Sequence, residues 1–154
     1  MAKNIGESGQ TLVEFALVVP LLLLLVFGTI EFGRIFHAQL VVTSAAQEGA
    51  RKAAVTGNEN DIKETIKNAA AALNITTVEL QTDLTKIKNK TNYPDPGKMW
   101  YLVNYPVKGT RDYGDPVEVY VKGRVDVLVP IISNLIGSVK PLPAMAVMRV
   151  EYDA

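Results

Sequence analysis

The sequence predicts an α+β protein in which one long N-terminal transmembrane helix continues into a small antiparallel sheet domain. Three observations predict it. Apolar residues crowd one end, where Phe15 to Ile30 carries no charge, while from Arg34 onward charges are spread as in a soluble domain. Small and apolar residues then recur at three- and four-residue steps as far as Ala53. Beyond Gly57 the pattern becomes a short helical stretch and then β-rich, partly alternating runs.

The first element is the apolar segment itself. As a helix from Gln10 to Ile30 it rises roughly 30 Å, the thickness of a bilayer's hydrocarbon core. A cleaved secretory signal is the competing reading, and it fits poorly. Lys3 is offset by Glu7, the apolar core is long, and "GTIEFGR" has no small-x-small cleavage site. Pro20 removes a backbone donor, which costs a soluble helix about 3 kcal/mol but is tolerated in a membrane helix as a bend. Ile35, Ala38, Val42, Ala45, Gly49 and Ala53 carry the helix past the membrane, with Arg34, His37, Ser44, Glu48 and Arg51 on the opposite side. One nearly continuous helix is therefore expected from about Gln10 to Val55, and Thr56-Gly57-Asn58 stops it.

The domain follows. "NDIKETIKNAAAALN" (Asn60 to Asn74) places Ile62, Ile66, Ala69, Ala70 and Leu73 at helical spacing, with Asn60 or Asp61 as the cap. Strands are predicted in "ITTVELQTD" (Ile75 to Asp83), "MWYLVNYPV" (Met99 to Val107), "VEVYVKGRVDVLV" (Val117 to Val129) and "AMAVMRVEY" (Ala144 to Tyr152). Between the last two, "PIISNLIG" forms a short helix opened by Pro130 and closed by Gly137. Thr85 to Gly97 and "GTRDYGDP" (Gly109 to Pro116) read as loops.

Composition narrows the functions. The chain has 154 residues with 16 basic and 16 acidic side chains, so no strong field favours nucleic acid. There is no cysteine, which excludes disulfides, thiol catalysis and cysteine-held metals. No glycine-rich phosphate loop, G-x-S-x-G or His/Asp/Glu constellation is present, and the single His37 sits on a polar face. Asp95, Asp112 and Asp115 lack the regular spacing of a calcium loop. Trp100, Tyr101, Tyr105 and Tyr113 lie near the loops, where strand packing is favoured over ligand binding. The sequons at Asn74 and Asn89 are short enough to occur by chance. An enzyme is not expected, nor a cofactor or metal.

Glu14 stands apart, because an ionisable group inside an apolar segment is costly and needs a reason. It either lies at the membrane edge and snorkels or stays protonated, or it has a function. "GQTLVEF" (Gly9 to Phe15) resembles the prepilin-peptidase recognition sequence of type IV pilins and pseudopilins, in which a short polar leader ends in glycine and mature position five is glutamate. The wider pattern, "GQTLVEFALVVPLLLLLVFGTIEFGR" followed by "TSAAQEGARKAAV" and closed by "AMAVMRVEY", resembles the TadE-like branch, the pilin-like proteins of tight-adherence pilus systems. Lys86 to Pro116 carries no part of that resemblance.

What the resemblance implies is a type IV pilin-like fold. It implies a leader over 1–9, a long helix over 10–56 that spans the membrane over 10–31, and an extracytoplasmic α+β domain over 57–154. Gly9, Gln10 and Glu14 become the processing and assembly residues. Cutting after Gly9 frees an amine whose ordinary pKa is near 7.7–8.0, about one helical turn from Glu14. In the family, the amine of one subunit meets the glutamate of a neighbour. Many pilins begin with phenylalanine or methionine, whereas Gln10 stands here and can cyclise, which removes the terminal charge. The expected partners are the membrane, a prepilin peptidase, and other pilin or pseudopilin subunits with their assembly machinery. The expected location is the cell membrane, single-pass, with the C-terminal domain outside the cytoplasm. A competing class is a single-pass anchored binding module that never assembles.

Overall fold

A stretch dense in leucine, valine and alanine, without a second proline after Pro20, holds one uninterrupted helix, α1, from Ile5 to Val55. At about 1.5 Å per residue it extends about 76 Å. There is no break or reversal between Glu31 and Arg34. The computed structural model describes residues 5–107 and 111–151. Lys3, the Gly109-Thr110 part of the "GTRDYGDP" loop and Tyr152 lie outside the described residues.

The two halves of α1 have different surroundings. None of the most apolar stretch is buried against the described protein, so it is not a soluble core helix. From Ala38 on, the small-residue stripe is buried: Ala38, Val42, Ala45, Ala46, Ala50 and Ala53 are all in the core. His37, Ser44, Glu48 and Arg51 face outward. The helix ends where Arg111 donates from Nη2 to the Ala54 carbonyl (3.1 Å) and from Nε to that of Ala53 (3.4 Å). A cation there satisfies orphan carbonyls and opposes the negative end of the helix dipole.

α2, Glu59–Ala69, lays Ile62 and Ile66 against α1. Its cap is Asn58, not the expected Asn60 or Asp61. The Asn58 backbone is extended, and its side-chain oxygen accepts from the Asn60 N–H at 3.0 Å. The helical stretch also stops earlier than expected. It tightens into a 3-10 turn, Ala71–Leu73, and Asn74 leaves it at φ 53°, a left-handed conformation that asparagine tolerates.

The sheet has four strands in the order β1 (Thr77–Leu80), β2 (Lys98–Asn104), β3 (Pro116–Asp126), β4 (Val139–Arg149). It is mixed, which corrects the expectation of a purely antiparallel sheet. β2, β3 and β4 are antiparallel neighbours, but β1 runs parallel to β2, with Val78 opposite Met99. A parallel pair needs a crossover, and the segment 81–97 supplies one. It contains a five-residue helix, α3 (Leu84–Lys88), capped by Asp83, where a loop was expected.

One face of the sheet, carrying Val78, Met99, Tyr101, Val119, Val121 and Leu142, packs on the outer half of α1 and on α2. The opposite face carries a smaller cluster of Ile87, Leu102 and Tyr120 under α3. Trp100 and Tyr105 are packed against these clusters, whereas Tyr113 is exposed. β4 starts five residues before the expected Ala144 and includes Pro141 and Pro143. Neither proline can donate to β3, and their two-residue spacing puts both on the free edge. Gln39 of α1 donates to the Pro143 carbonyl on that edge at 3.0 Å. α4, Pro130–Ile136, opens on Pro130 and is closed by Gly137 at φ 93°, a region that favours glycine.

Candidate functional site

Gly9, Gln10 and Glu14 lie on the first turns of α1, all exposed. A β-carbon on Gly9 meets nothing within 4 Å, so the structure leaves this position open to a larger residue. One helical turn joins the other two: the Gln10 side-chain amide donates to Glu14 Oε1 at 3.1 Å. That bond is an i,i+4 pairing of a donor with an acid in a segment with few other polar groups, and it reduces the cost of placing the carboxylate there. The resemblance pairs Glu14 with the freed amine of a neighbouring subunit, and sequence reasoning missed this contact within one chain, although the i,i+4 spacing alone allowed it.

A second polar node was not anticipated. Glu31 lies at the edge of the apolar run and is only 2% exposed, the sole buried acid among the described residues. Its Oε1 accepts from Arg34 Nη1 at 2.7 Å and from the Leu128 backbone N–H at 3.3 Å. Arg34 Nη2 also reaches the Asp126 carbonyl at 3.5 Å. The carboxylate thus ties α1 to the turn between β3 and α4. The local half of the node, Glu31 and Arg34 three apart, was visible in the sequence; the remote half was not.

Asp95, Asp112 and Asp115 do not meet in one site. Asp95 pairs with Lys98 at 3.3 Å, while the Asp115 N–H donates to the Asp112 carbonyl. Among the described residues no group of three histidine, aspartate or glutamate side chains is placed to hold a metal. Every fully buried polar side-chain atom described has a partner.

Fold and site together define a class: an α+β protein headed by a single N-terminal helix long and apolar enough to cross a membrane, with a polar pair near that helix's start. Residues 9–51 match the family model described as TadE-like protein, so this stretch of the helix is similar to that family. The matched stretch starts at Gly9 and ends within the small-residue stripe, leaving the sheet outside it. No curated protein and no solved structure matches the chain.

Proposed function

We propose that this chain is a pilin-like subunit of a tight-adherence type IV pilus system, held in the membrane by α1, cut after Gly9 by a prepilin peptidase, and then assembled with other pilin or pseudopilin subunits. Its role is structural, not catalytic. The observation that carries the proposal is the Gln10–Glu14 pair, an acid with a ready partner at the start of a helix whose apolar surface is left uncovered. The TadE-like match over that same helix supports the tight-adherence context.

The chemistry follows from the bond that is cut. In the intact chain the nitrogen of Gln10 is a neutral amide; hydrolysis turns it into an ammonium with an ordinary pKa near 7.7–8.0. An ammonium from a neighbouring subunit at about 4 Å attracts a carboxylate by about 4 kcal/mol at an effective dielectric near 20, part of which is spent on desolvation. Glu14 then exchanges its neutral amide partner for a cation, and the apolar face of α1 exchanges lipid for neighbouring helices. The peptide bond after Gly9 lies within a helix. Glycine in a helix interior costs about 1 kcal/mol relative to alanine, which eases local unwinding for a peptidase that needs an extended chain.

Two substitutions separate the steps. Glu14→Leu is expected to insert and be cut normally, with intact mass showing a chain that starts at Gln10, yet to be depleted from sheared filaments. Gly9→Ala fills open space, so the protein folds but retains residues 1–9. A wild-type chain still bearing its leader in a host with the peptidase, or full incorporation of Glu14→Leu into filaments, overturns the proposal and favours a non-assembling anchored module.

A further inference from the structure

α4 is in an unusual place for part of a water-soluble domain. It sits beside α1 at the height of Gly28, inside the uncharged run, where a β-carbon on Gly28 would stand 4.0 Å from Ile132 Cδ1. Counting along α1 from Arg34, the first cation after that run, Gly28 lies about 9 Å deeper. The headgroup region on one side of a bilayer is only about 5–7 Å thick. If Phe15 to Ile30 is in hydrocarbon, α4 cannot be in bulk water.

The segment is built for that position. Val127 to Val139 carries no charge, while Arg124 and Asp126 precede it and Lys140 follows it. Ile131 and Leu135 are 66% and 85% exposed, the latter the most exposed large apolar side chain described. Leu24, Gly28 and Ile35 of α1 face Ile132, Leu135 and Ile136 across an open apolar groove of about 470 Å³. Several backbone groups of this segment are satisfied locally, which lowers the cost of leaving water, although the first turn of α4 has no side-chain cap. The Val127 N–H donates to the Ser138 carbonyl at 2.9 Å, the Ser133 N–H to Val129 and the Gly137 N–H to Ser133 at 2.8 Å. Ser133 Oγ donates back to the Pro130 carbonyl at 2.9 Å. The Leu128 N–H has Glu31, itself neutralised by Arg34.

We infer that the segment Val127 to Val139, with α4 at its centre, is a monotopic foot that inserts into the bilayer leaflet next to the globular domain. The occupant of the groove and of the exposed face of α4 is lipid acyl chain. Glu31 is the pin that fixes the foot to the spanning helix. Phe32 and Phe36, stacked at 6.5 Å between ring centroids and both exposed, lie on the same helix just above the foot and extend its apolar surface. The chain thereby engages the membrane twice, and the sheet is held in one orientation on its surface. This inference rests on α1 spanning the bilayer.

The lack of cysteine makes the test direct. Leu135→Cys, Leu25→Cys and Ser44→Cys in the full chain each take one nitroxide, and the proteins are reconstituted in phosphatidylcholine vesicles at two protein-to-lipid ratios. All three positions are exposed, so the labels leave packing intact. Collisions with oxygen, which prefers lipid, are compared with those of a water-soluble nickel chelate. The expected result is an oxygen-to-nickel ratio at Leu135 several-fold above that at Ser44 and close to that at Leu25, unchanged on dilution in lipid. A nickel-accessible Leu135 beside a lipid-exposed Leu25 overturns the foot and spares the spanning helix. Low accessibility of Leu135 to both reagents that is lost on dilution assigns the groove to a second copy and also overturns it. A nickel-accessible Leu25 removes the spanning helix and the foot together.

Discussion

Two residues show how burial sets the cost of charge and of proton loss. Lys122 is 1% exposed on β3, and its ammonium donates to the Asn89 carbonyl, a neutral partner. Burial holds its pKa below the ordinary 10.5. Tyr101, buried beneath α2 with its hydroxyl 3.3 Å from Glu59, has its pKa pushed up to about 12, by burial first and the Glu59 charge second. The signs oppose. As pH rises through the lowered pKa of Lys122 toward 10.5, the folded state has released a proton that the unfolded chain still holds, so stability increases. Between about 10 and about 12 the unfolded chain has lost the Tyr101 proton that the folded state keeps, so stability falls. Chemical denaturation of the detergent-solubilised chain is expected to show both slopes. Lys122→Met should remove the rise and stabilise the protein by about 1 kcal/mol at pH 7, since its stem is replaced and its charge is not. Tyr101→Phe should remove the fall. A stability profile that Lys122→Met leaves unchanged would place the ammonium in water.

At the level of elements, α1 is joined to its domain by small residues because larger ones do not fit. Gly49 is the tightest point: a β-carbon there lies 2.7 Å from Ile66 Cγ1, 2.9 Å from its Cδ1 and 3.3 Å from Val119 Cγ1. Alanine gains about 1 kcal/mol of helix propensity over glycine, while overpacking a filled core costs about 1–3 kcal/mol. Gly49→Ala is expected to destabilise the domain by about 1 kcal/mol, and Gly49→Val by more. Gly33→Ala on the same helix meets open space and should be neutral or stabilising. Denaturation midpoints of the two alanine variants decide it; equal shifts would mean that α2 moves away at no cost. The sheet is governed by its connections. α3 turns the 81–97 segment into a crossover, and the crossover makes β1 parallel to β2.

For the whole molecule, α1 is one element serving two environments, and the boundary falls at Glu31. The core draws on α1 from Ile35 to Ala54 and on nothing in the apolar stretch before it. A fragment of residues 31–154, which keeps Glu31 and its bond to Leu128, is therefore expected to fold cooperatively outside a membrane. A fragment of residues 58–154 should fail to fold, because it lacks Ala38, Val42, Ala45, Ala46, Ala50 and Ala53 from the centre of the core. Circular dichroism and cooperative denaturation report the outcome. A folded 58–154 fragment would show that the sheet and α2 close without α1.

The sequence by itself determined whatever is set by neighbours along the chain. The 3.6-residue stripe from Ile35 to Ala53, the alternation in Val117 to Asp126, Pro130 and Gly137 at the ends of α4, and the acid at Glu14 are all local signals. Periodicity and terminal residues encode them directly. The Gln10–Glu14 bond is equally local and was open to reading. Only the tertiary structure decided the rest. The parallel pairing of β1 depends on where the crossover returns, and the burial of Lys122 on α3 and the Asn89 turn covering one face of β3. The node at Glu31 closes on Leu128, 97 residues away, and α4 reaches Gly28 over a similar separation. Such contacts have no signature in residue order, because they are selected by the packing of the whole chain on the outer half of α1.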